Sequence, residues 1–174
     1  MSRFQELYKS DLTRYAGSLE CYLRCLLYYF RRSQTTRFKP MQLLWRVLYR
    51  TVAKRRGIEI SAQTDIGGGF YLGHAYNITI NPAAKIGRNC NIHKGVVIGQ
   101  TNRGKSKGTP TIGNEVWIGI NAAIVGNITI GDDVLIAPNS FVNVDVPSHS
   151  VVYGNPCIIR PRLHATEGYI NKIG

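Results

Sequence analysis

Hydrophobic residues in the first third of the chain recur at the spacing of helices. One series runs from Phe4 to Tyr15 and a second from Leu19 to Phe30, with Gly17 between them. A third series begins at Pro40, a residue suited to the first turn of a helix, and ends where Lys54 is followed by two arginines and Gly57. The pattern predicts three amphipathic helices within residues 1–57.

From residue 58 onward the hydrophobic spacing changes to six. A glycine often follows the aliphatic residue, and a small or β-branched residue often stands four places after it. The aliphatic positions are Ile80, Ile86, Ile92 and Ile98, then Ile112, Ile118, Ile124, Ile130, Ile136 and Val142. A unit this short cannot bury its own aliphatic side chain and must stack on the next unit, so the period predicts a solenoid.

Two irregularities interrupt this period. An earlier series, Ile60, Ile66 and Leu72, is followed by a slip of two residues near Ile78. The interval from Ile98 to Ile112 also exceeds one repeat, so residues 99–111 are predicted to leave the solenoid as a loop. We therefore expect a basic helical region at 1–57, a solenoid domain at 58–157 with this protruding loop, and a tail at 158–174.

The repeat resembles the hexapeptide repeat of left-handed parallel β-helix acyltransferases. The segment from Ile58 to Pro156 is similar to their serine acetyltransferase group, which includes polysaccharide O-acetyltransferases, and Gly154-Asn-Pro-Cys157 resembles the end signature of that group. The resemblance implies a mainly β fold, a left-handed parallel β-helix preceded by a short α-helical region. It also implies acetyl-CoA as co-substrate, no metal, and a homotrimer with active sites between subunits.

His74 is the candidate catalytic base, because it stands where the hexapeptide phase slips. In the group that the chain resembles, a histidine at this place removes the proton of the acceptor hydroxyl, and an acidic residue fifteen positions earlier orients it. Here that position is Glu59, where the group more often has aspartate. A carboxylate one coil away would fix the ring tautomer and stabilise the imidazolium.

The other three histidines are weaker candidates. His93 follows an inward-facing isoleucine, where a solvated or trimer-interface side chain is the simpler interpretation, although a catalytic part stays open. His149 lies in a Pro-Ser-His-Ser turn and His164 in the tail, and both are predicted to be surface residues.

The predicted loop carries the candidate cofactor contacts. Gly99, Arg103 and Lys105 suit a mobile arm that binds the phosphates of CoA. In the group that the chain resembles, backbone groups of the coil after the loop hold the pantetheine arm. The matching positions here are Gly119, Ile120, Ala137 and Pro138. The trimers of that group would bring the loop to His74 of the adjacent chain.

Three departures from the group bear on the acceptor. Serine acetyltransferases hold the serine ammonium and carboxylate with an aspartate before the catalytic histidine and an Arg-His pair before the proline at the end of the loop. Those places are Gly73, Gly108 and Thr109 here. Because a zwitterion needs charged partners, a neutral acceptor is expected, with Tyr76, Asn77 and Thr109 as binding residues beside Gly73.

Charge is distributed unevenly along the chain. Residues 1–57 contain 13 of the 22 Lys and Arg and only 3 of the 10 Asp and Glu. Such a surface indicates either an anionic partner, with peripheral contact to an anionic membrane as the expected case, or a basic face that is simply solvated. Nucleic acid is not expected, since no recognition motif accompanies the basic residues.

The remaining composition indicates a cytoplasmic protein, either free or at the inner face of the membrane. Charged residues near the start interrupt any signal sequence, and the most apolar window is too short to span a bilayer. The four cysteines lack disulfide or zinc spacing and are predicted to be free, buried thiols.

These observations favour an acetyl-CoA-dependent O-acetyltransferase that modifies a saccharide hydroxyl in surface-polysaccharide synthesis. Serine O-acetylation in cysteine biosynthesis is the alternative, which the three missing charges oppose. Two alternatives come from other classes. The presence of both His74 and Glu59 opposes a catalytically silent hexapeptide scaffold, and the absence of a recognition motif among the basic residues opposes a nucleic-acid binder.

Overall fold

Three helices open the chain in the computed structural model, which describes residues 1–15, 17 and 19–170. They are α1 (Arg3–Thr13), α2 (Cys21–Thr35) and α3 (Lys39–Lys54). Ser2 and Gln5 form a capping box at the start of α1. Pro40 stands in the first turn of α3, and Gly57 beyond its end has a φ of 64°, a conformation that favours glycine.

Fifteen short strands follow within residues 59–170 and form three parallel sheets, with one antiparallel strand at the end. In chain order the strands are β1 (Glu59–Ile60), β2 (Asp65–Ile66), β3 (Tyr71–Gly73), β4 (Thr79–Ile80), β5 (Lys85–Ile86), β6 (Asn91–His93), β7 (Val97–Gly99), β8 (Thr111–Ile112), β9 (Trp117–Ile118), β10 (Ala123–Val125), β11 (Thr129–Ile130), β12 (Val134–Ile136), β13 (Phe141–Val142), β14 (Ser150–Tyr153) and β15 (Ile158–Pro161). The sheet orders are β1-β4-β7-β10-β13, β2-β5-β8-β11 and β3-β6-β9-β12-β14-β15. Because each sheet takes every third strand, the chain winds as a parallel solenoid.

The sixfold aliphatic positions form the core of the solenoid. All ten are buried, and equivalent positions pair directly between coils, as Ile92 does with Ile118 and Ile118 with Ile136. Full burial of one such side chain stabilises the fold by roughly 1.5 to 3 kcal/mol. The predicted fold class, mainly β with a helical start, is confirmed.

The first coil is two residues longer than the second. Ile60 pairs with Ile80, twenty positions later, whereas Ile80 pairs with Ile98, eighteen positions later. The predicted phase slip is therefore a lengthened corner between β3 and β4, which contains His74. We call the prism edge that contains this corner the His74 edge. It joins the third sheet to the first in every coil.

The helices cover the open end of the solenoid and supply hydrogen-bond partners for its edge strands. The Tyr49 hydroxyl donates to the carbonyl of Ile60 in β1. The backbone N–H of Leu72 in β3 donates to the Tyr15 hydroxyl, and the Arg31 guanidinium donates to the carbonyl of Ile66 in β2. Exposed edge strands invite pairing with other chains, and each of the three edge strands at this end has a contact of this kind with a helical residue.

The carboxyl-terminal segment closes the other end of the third sheet. Its strand β15, which the hexapeptide pattern does not predict, pairs antiparallel with β14. Beyond it, Ala165 and Thr166 are buried, and both donate backbone hydrogen bonds to the carboxylate of Asp133. Residues 171–174, the end of the predicted tail, lie outside the described residues.

The prediction of four buried thiols is wrong. Cys90 is fully buried, Cys25 and Cys157 are partly exposed, and Cys21 is exposed. Cys90 occupies a small inward position of the solenoid, whereas Cys21 and Cys25 lie in α2, where the inward side of the helix is taken by larger residues such as Leu26. Among the described helices, none is both long and apolar enough to cross a bilayer.

Candidate active site

His74 lies in the lengthened corner directly after β3, and its side chain is exposed. Its φ of 50° falls in the left-handed region, which is uncommon for residues other than glycine and in which Asn, Asp and His are the most frequent. At the same edge, the corners of later coils carry Asn121 and Asn139 with φ values of 58° and 59°. The left-handed conformation is thus a regular feature of the corners on this edge, and His74 differs from them in lying in the lengthened corner with an exposed imidazole.

Glu59 begins β1, and its carboxylate is exposed. It accepts a hydrogen bond from the Thr79 hydroxyl at 3.4 Å, and the two residues are direct partners in the β1–β4 register. Within residues 1–15, 17 and 19–170, no hydrogen bond joins Glu59 to His74. The two residues nevertheless flank the same corner of the first coil, on the His74 edge.

The predicted acceptor residues divide between two edges of the prism. Tyr76 and Asn77 lie beside His74, and the Tyr76 ring stacks against the Arg56 guanidinium at 4.7 Å. Asn77 is exposed and has a φ of 50°. Thr109 lies instead at the end of the loop, where its hydroxyl donates to the carbonyl of Ala83. Within one chain, Thr109 and His74 therefore lie on different edges of the prism.

Gly73 is buried beneath the ring of His93. The two residues are partners in the β3–β6 register. A Cβ on Gly73 would lie 2.3 Å from Cδ2 and 2.5 Å from Nε2 of His93, so only glycine fits without moving the ring. His93 is therefore half-buried next to His74. The sequence alone favours a solvated or interface side chain at this position.

The His93 imidazole is fixed on its other side. Its Nδ1–H donates to the carbonyl of Ile118 at 2.9 Å, and its ring contacts Trp117 with 4.6 Å between centroids. Burial and the charge of His74 lower the pKa of His93, although the hydrogen bond to Ile118 opposes the shift. Sequence reasoning missed this arrangement. The signal that could have revealed it is Gly73, which lies one coil before His93 and pairs with it.

The predicted pantetheine positions lie together. Gly119 and Ile120 follow β9, and Ala137 and Pro138 follow β12, so the four residues stack in consecutive coils on the His74 edge. A Cβ on Gly119 would lie 2.6 Å from the backbone nitrogen of Pro138. The close packing of these two corners explains the glycine.

The loop leaves the prism at a different edge, between β7 and β8. Thr101 and Gly108 pair as a small antiparallel bridge, and Arg103 and Lys105 at its tip are exposed. The carbonyl of Ser106 accepts a hydrogen bond from the backbone of Asn127, which holds the loop against the next coil. Gly99, at the base of the loop, accepts from the backbone of Gly126.

The two histidines assigned to the surface are exposed. His149 forms a hydrogen bond with the Asp133 carboxylate at 2.8 Å, and His164 lies in the carboxyl-terminal segment. Among the described residues, no group of three or more His, Cys, Asp or Glu side chains is arranged to hold a metal ion.

Comparison with known proteins gives both a family profile and individual relatives. The profile of the bacterial transferase hexapeptide family (six repeats) matches residues 109–144. The serine acetyltransferase of Helicobacter pylori strain 26695 is 38% identical over 99 residues, which cover 57% of this chain and 58% of that protein. The serine acetyltransferase of Staphylococcus xylosus is 36% identical over 118 residues, which cover 68% of this chain and 55% of that protein.

Solved structures of serine acetyltransferases share the fold. The Vibrio cholerae enzyme superimposes with a TM-score of 0.80 and 25% identity, covering 97% of this chain and 70% of its own. The soybean apoenzyme gives 0.77 and 25%, covering 90% and 69%. The chain thus spans just over half the length of the curated relatives it matches, and its resemblance to the serine acetyltransferase-like group of hexapeptide-repeat acyltransferases is confirmed.

Proposed function

We propose that this hexapeptide-repeat protein is an acetyl-CoA-dependent O-acetyltransferase in which His74 is the general base. The observation that carries the proposal is the lengthened corner, which presents His74 to solvent in a left-handed conformation at one edge of the prism. The similarity of residues 109–144 to the transferase hexapeptide family supports the same activity.

In this mechanism His74 accepts the proton of the acceptor hydroxyl while the hydroxyl oxygen attacks the carbonyl carbon of the thioester. The carbon–sulfur bond then breaks, and the imidazolium returns the proton to the departing sulfur. Glu59 flanks the same corner, and its negative charge would stabilise the imidazolium and orient the ring.

The co-substrate would be held by residues from two edges. Gly119, Ile120, Ala137 and Pro138 line the His74 edge, whereas Arg103 and Lys105 lie at the tip of the loop on another edge. Because a single prism separates these groups, we propose a homotrimer in which the loop of one chain reaches the His74 edge of its neighbour. The exposed cations would then contact the phosphates of CoA.

Serine is the acceptor that the relatives favour, because the similar proteins reported above are named serine acetyltransferases. A saccharide in surface-polysaccharide synthesis, the acceptor that the sequence predicts, has no support among these relatives. A specific observation still favours a neutral hydroxyl acceptor as the second candidate. The positions expected to hold charges are occupied by Gly73, Gly108 and Thr109.

Thiol release from acetyl-CoA tests the function and the choice of acceptor. The purified chain is given L-serine, methyl β-D-galactopyranoside or no acceptor, with product identified by mass spectrometry. Saturable O-acetylserine formation supports the cysteine pathway, and faster transfer to the glycoside supports a neutral acceptor. Absence of transfer to any hydroxyl compound would contradict the proposal and favour a catalytically silent scaffold.

We also propose that the enzyme is cytoplasmic and contacts an anionic membrane through α3. Leu43, Leu44 and Val47 expose 62%, 47% and 53% of their surface on one side of this helix. Residues 21–58 contain ten Lys and Arg and no Asp or Glu. An exposed apolar stripe within a purely cationic segment fits an anionic bilayer surface.

A further inference from the structure

His93 lies beside the proposed base, His74, and takes no part in the proposed proton transfer. Its ring covers Gly73, the residue before His74, and contacts Trp117 from the next coil. These contacts, with the hydrogen bond to Ile118, fix the ring in one orientation. A side chain held this firmly next to a catalytic corner can contribute to binding at low entropic cost.

The contact with Ile118 determines the tautomer of His93. A carbonyl oxygen only accepts hydrogen bonds, so Nδ1 must carry a proton to donate to it. In the neutral ring Nε2 then holds a lone pair and can only accept. Burial lowers the pKa of His93 from the ordinary value of histidine, the hydrogen bond to Ile118 opposes this shift, and the charge of His74 adds to it, so the net shift favours the neutral ring.

Nε2 of His93 lies over Gly73, because the ring occupies the space that a side chain at position 73 would need. Nε2 lies 2.5 Å from the point where a Cβ on Gly73 would stand. Within the described part of the chain, no hydrogen-bond donor contacts Nε2. A larger residue at position 73 would collide with the ring, so the glycine allows a half-buried, uncharged acceptor to lie one residue from His74.

We propose that Nε2 of His93 receives a second donor group of the acceptor substrate, carried on the carbon next to the one that bears the reacting hydroxyl. This inference rests on the proposed function. It names the substrate class as a compound with adjacent donors, a β-amino alcohol such as serine or a vicinal diol such as a sugar. The donor would be an ammonium in the first case and a hydroxyl in the second.

The first test concerns the ring itself and does not depend on turnover. Nitrogen-15 NMR of the histidine-labelled protein at pH 7, assigned with His93→Phe, should show Nδ1 protonated and Nε2 unprotonated. Addition of the preferred acceptor should shift the Nε2 resonance. A ring protonated at Nε2, or an Nε2 resonance that no productive acceptor moves, would overturn the inference.

The second test compares matched acceptors. In the wild type, L-serine should exceed 3-hydroxypropionate, which lacks the ammonium, by at least about tenfold in kcat/KM, the usual value of one such hydrogen bond. For a diol, methyl β-D-galactopyranoside is compared with its 4-deoxy analogue. His93→Phe, which keeps a ring beside Trp117, should remove the preference within the pair that is turned over. His93→Gln, which offers an amide donor and a carbonyl acceptor, should restore part of it.

The KM for acetyl-CoA distinguishes a role of His93 in acceptor binding from a role in stabilising the structure. It should stay within about twofold in both variants, because the loss concerns one hydrogen bond to the acceptor. Equal losses for both members of an acceptor pair, or a preference that survives in His93→Phe, would overturn the inference alone. Absence of transfer by the wild type to every hydroxyl compound would instead overturn the proposed function together with the inference.

Discussion

The guanidinium of Arg31 in α2 donates to both carboxylate oxygens of Asp11 in α1, and neither side chain reaches solvent. The same guanidinium donates to the carbonyls of Ile66 and Gly67, and the Asp11 carboxylate accepts from the backbone N–H of Phe70. This buried pair therefore joins two helices to the edge strands of the solenoid. It satisfies backbone groups that would otherwise be buried without partners.

Replacement of Arg31 by methionine should lower the free energy of unfolding by about 3 to 5 kcal/mol, because it leaves a buried carboxylate without its counter-charge. Urea denaturation followed by circular dichroism measures the change. Glu20→Gln is the matched control, since it breaks the exposed ion pair with Arg56 and should cost about 1 kcal/mol or less. Similar losses in the two variants would contradict a structural role for the buried pair.

The core of the solenoid could be predicted from the sequence because its rule is local. One aliphatic residue every six positions determines which side chain points inward and which residue lies above it in the next coil. The slip near Ile78 likewise predicts an irregular corner, and the structure has a lengthened corner at His74.

The contacts of Asp11 and His93 could not be predicted in this way. In the sequence, Asp11 and Arg31 are polar residues of two predicted helices, and their pairing depends on how those helices dock. The tautomer of His93 depends on the carbonyl of Ile118 and its burial on Gly73, residues that only the coil register brings close. These contacts join different helices or different coils, so the pattern within one repeat does not specify them.

Loss of the proposed base should remove most acetyl transfer. His74→Ala should lower kcat by about two to four orders of magnitude, the usual contribution of a general base. Glu59→Gln should lower it less, because this side chain acts through His74. Steady-state thiol release measures both, and His164→Asn is the control, since His164 is exposed and has a φ of 55° that asparagine tolerates. An unchanged rate in His74→Ala would remove this residue from the mechanism.

Neutralising the tip of the loop should weaken co-substrate binding more than turnover. Arg103→Gln combined with Lys105→Gln should raise the KM for acetyl-CoA by about tenfold, since charge-assisted bonds to phosphate contribute to binding in both ground and transition states. The KM should also lose part of its dependence on salt. Arg160→Gln with Arg162→Gln changes the net charge equally and should leave the KM as it is. Equal effects of the two pairs would indicate a general charge effect.

Acid should release the carboxyl-terminal segment through Asp133. Burial raises the pKa of this carboxyl, but hydrogen bonds from His149, Thr166 and the backbone of Ala165 outweigh it and lower the pKa to about 2. Because the pKa in an unfolded chain is about 3.9, the stabilisation is present above pH 4 and is lost as pH falls toward 2.

The expected loss is about 2.6 kcal/mol, from a shift of roughly two pKa units. Asp133→Asn should be less stable than the wild type at pH 6 by about this amount, and the difference should shrink as the pH falls from 4 to 2. Denaturation across this range measures both proteins. A difference that is independent of pH would contradict the assignment.

The exposed apolar stripe of α3 gives a membrane prediction with a matched control. The protein should sediment with vesicles that contain phosphatidylserine and not with neutral vesicles, and binding should weaken as salt shortens the Debye length to about 8 Å at 0.15 M. Arg50→Glu with Lys54→Glu reverses two exposed charges on α3 and should abolish binding. Arg160→Glu with Arg162→Glu changes the net charge equally on the opposite end of the chain and should not abolish binding.

The apolar part of the stripe is tested separately. Leu43→Ser with Val47→Ser should weaken binding by removing apolar area that the membrane would bury. Equal binding to neutral vesicles, equal effects of the two charge reversals, or concentration-dependent self-association that these serines abolish would contradict membrane docking, and the last result would assign the stripe to a second copy of the chain.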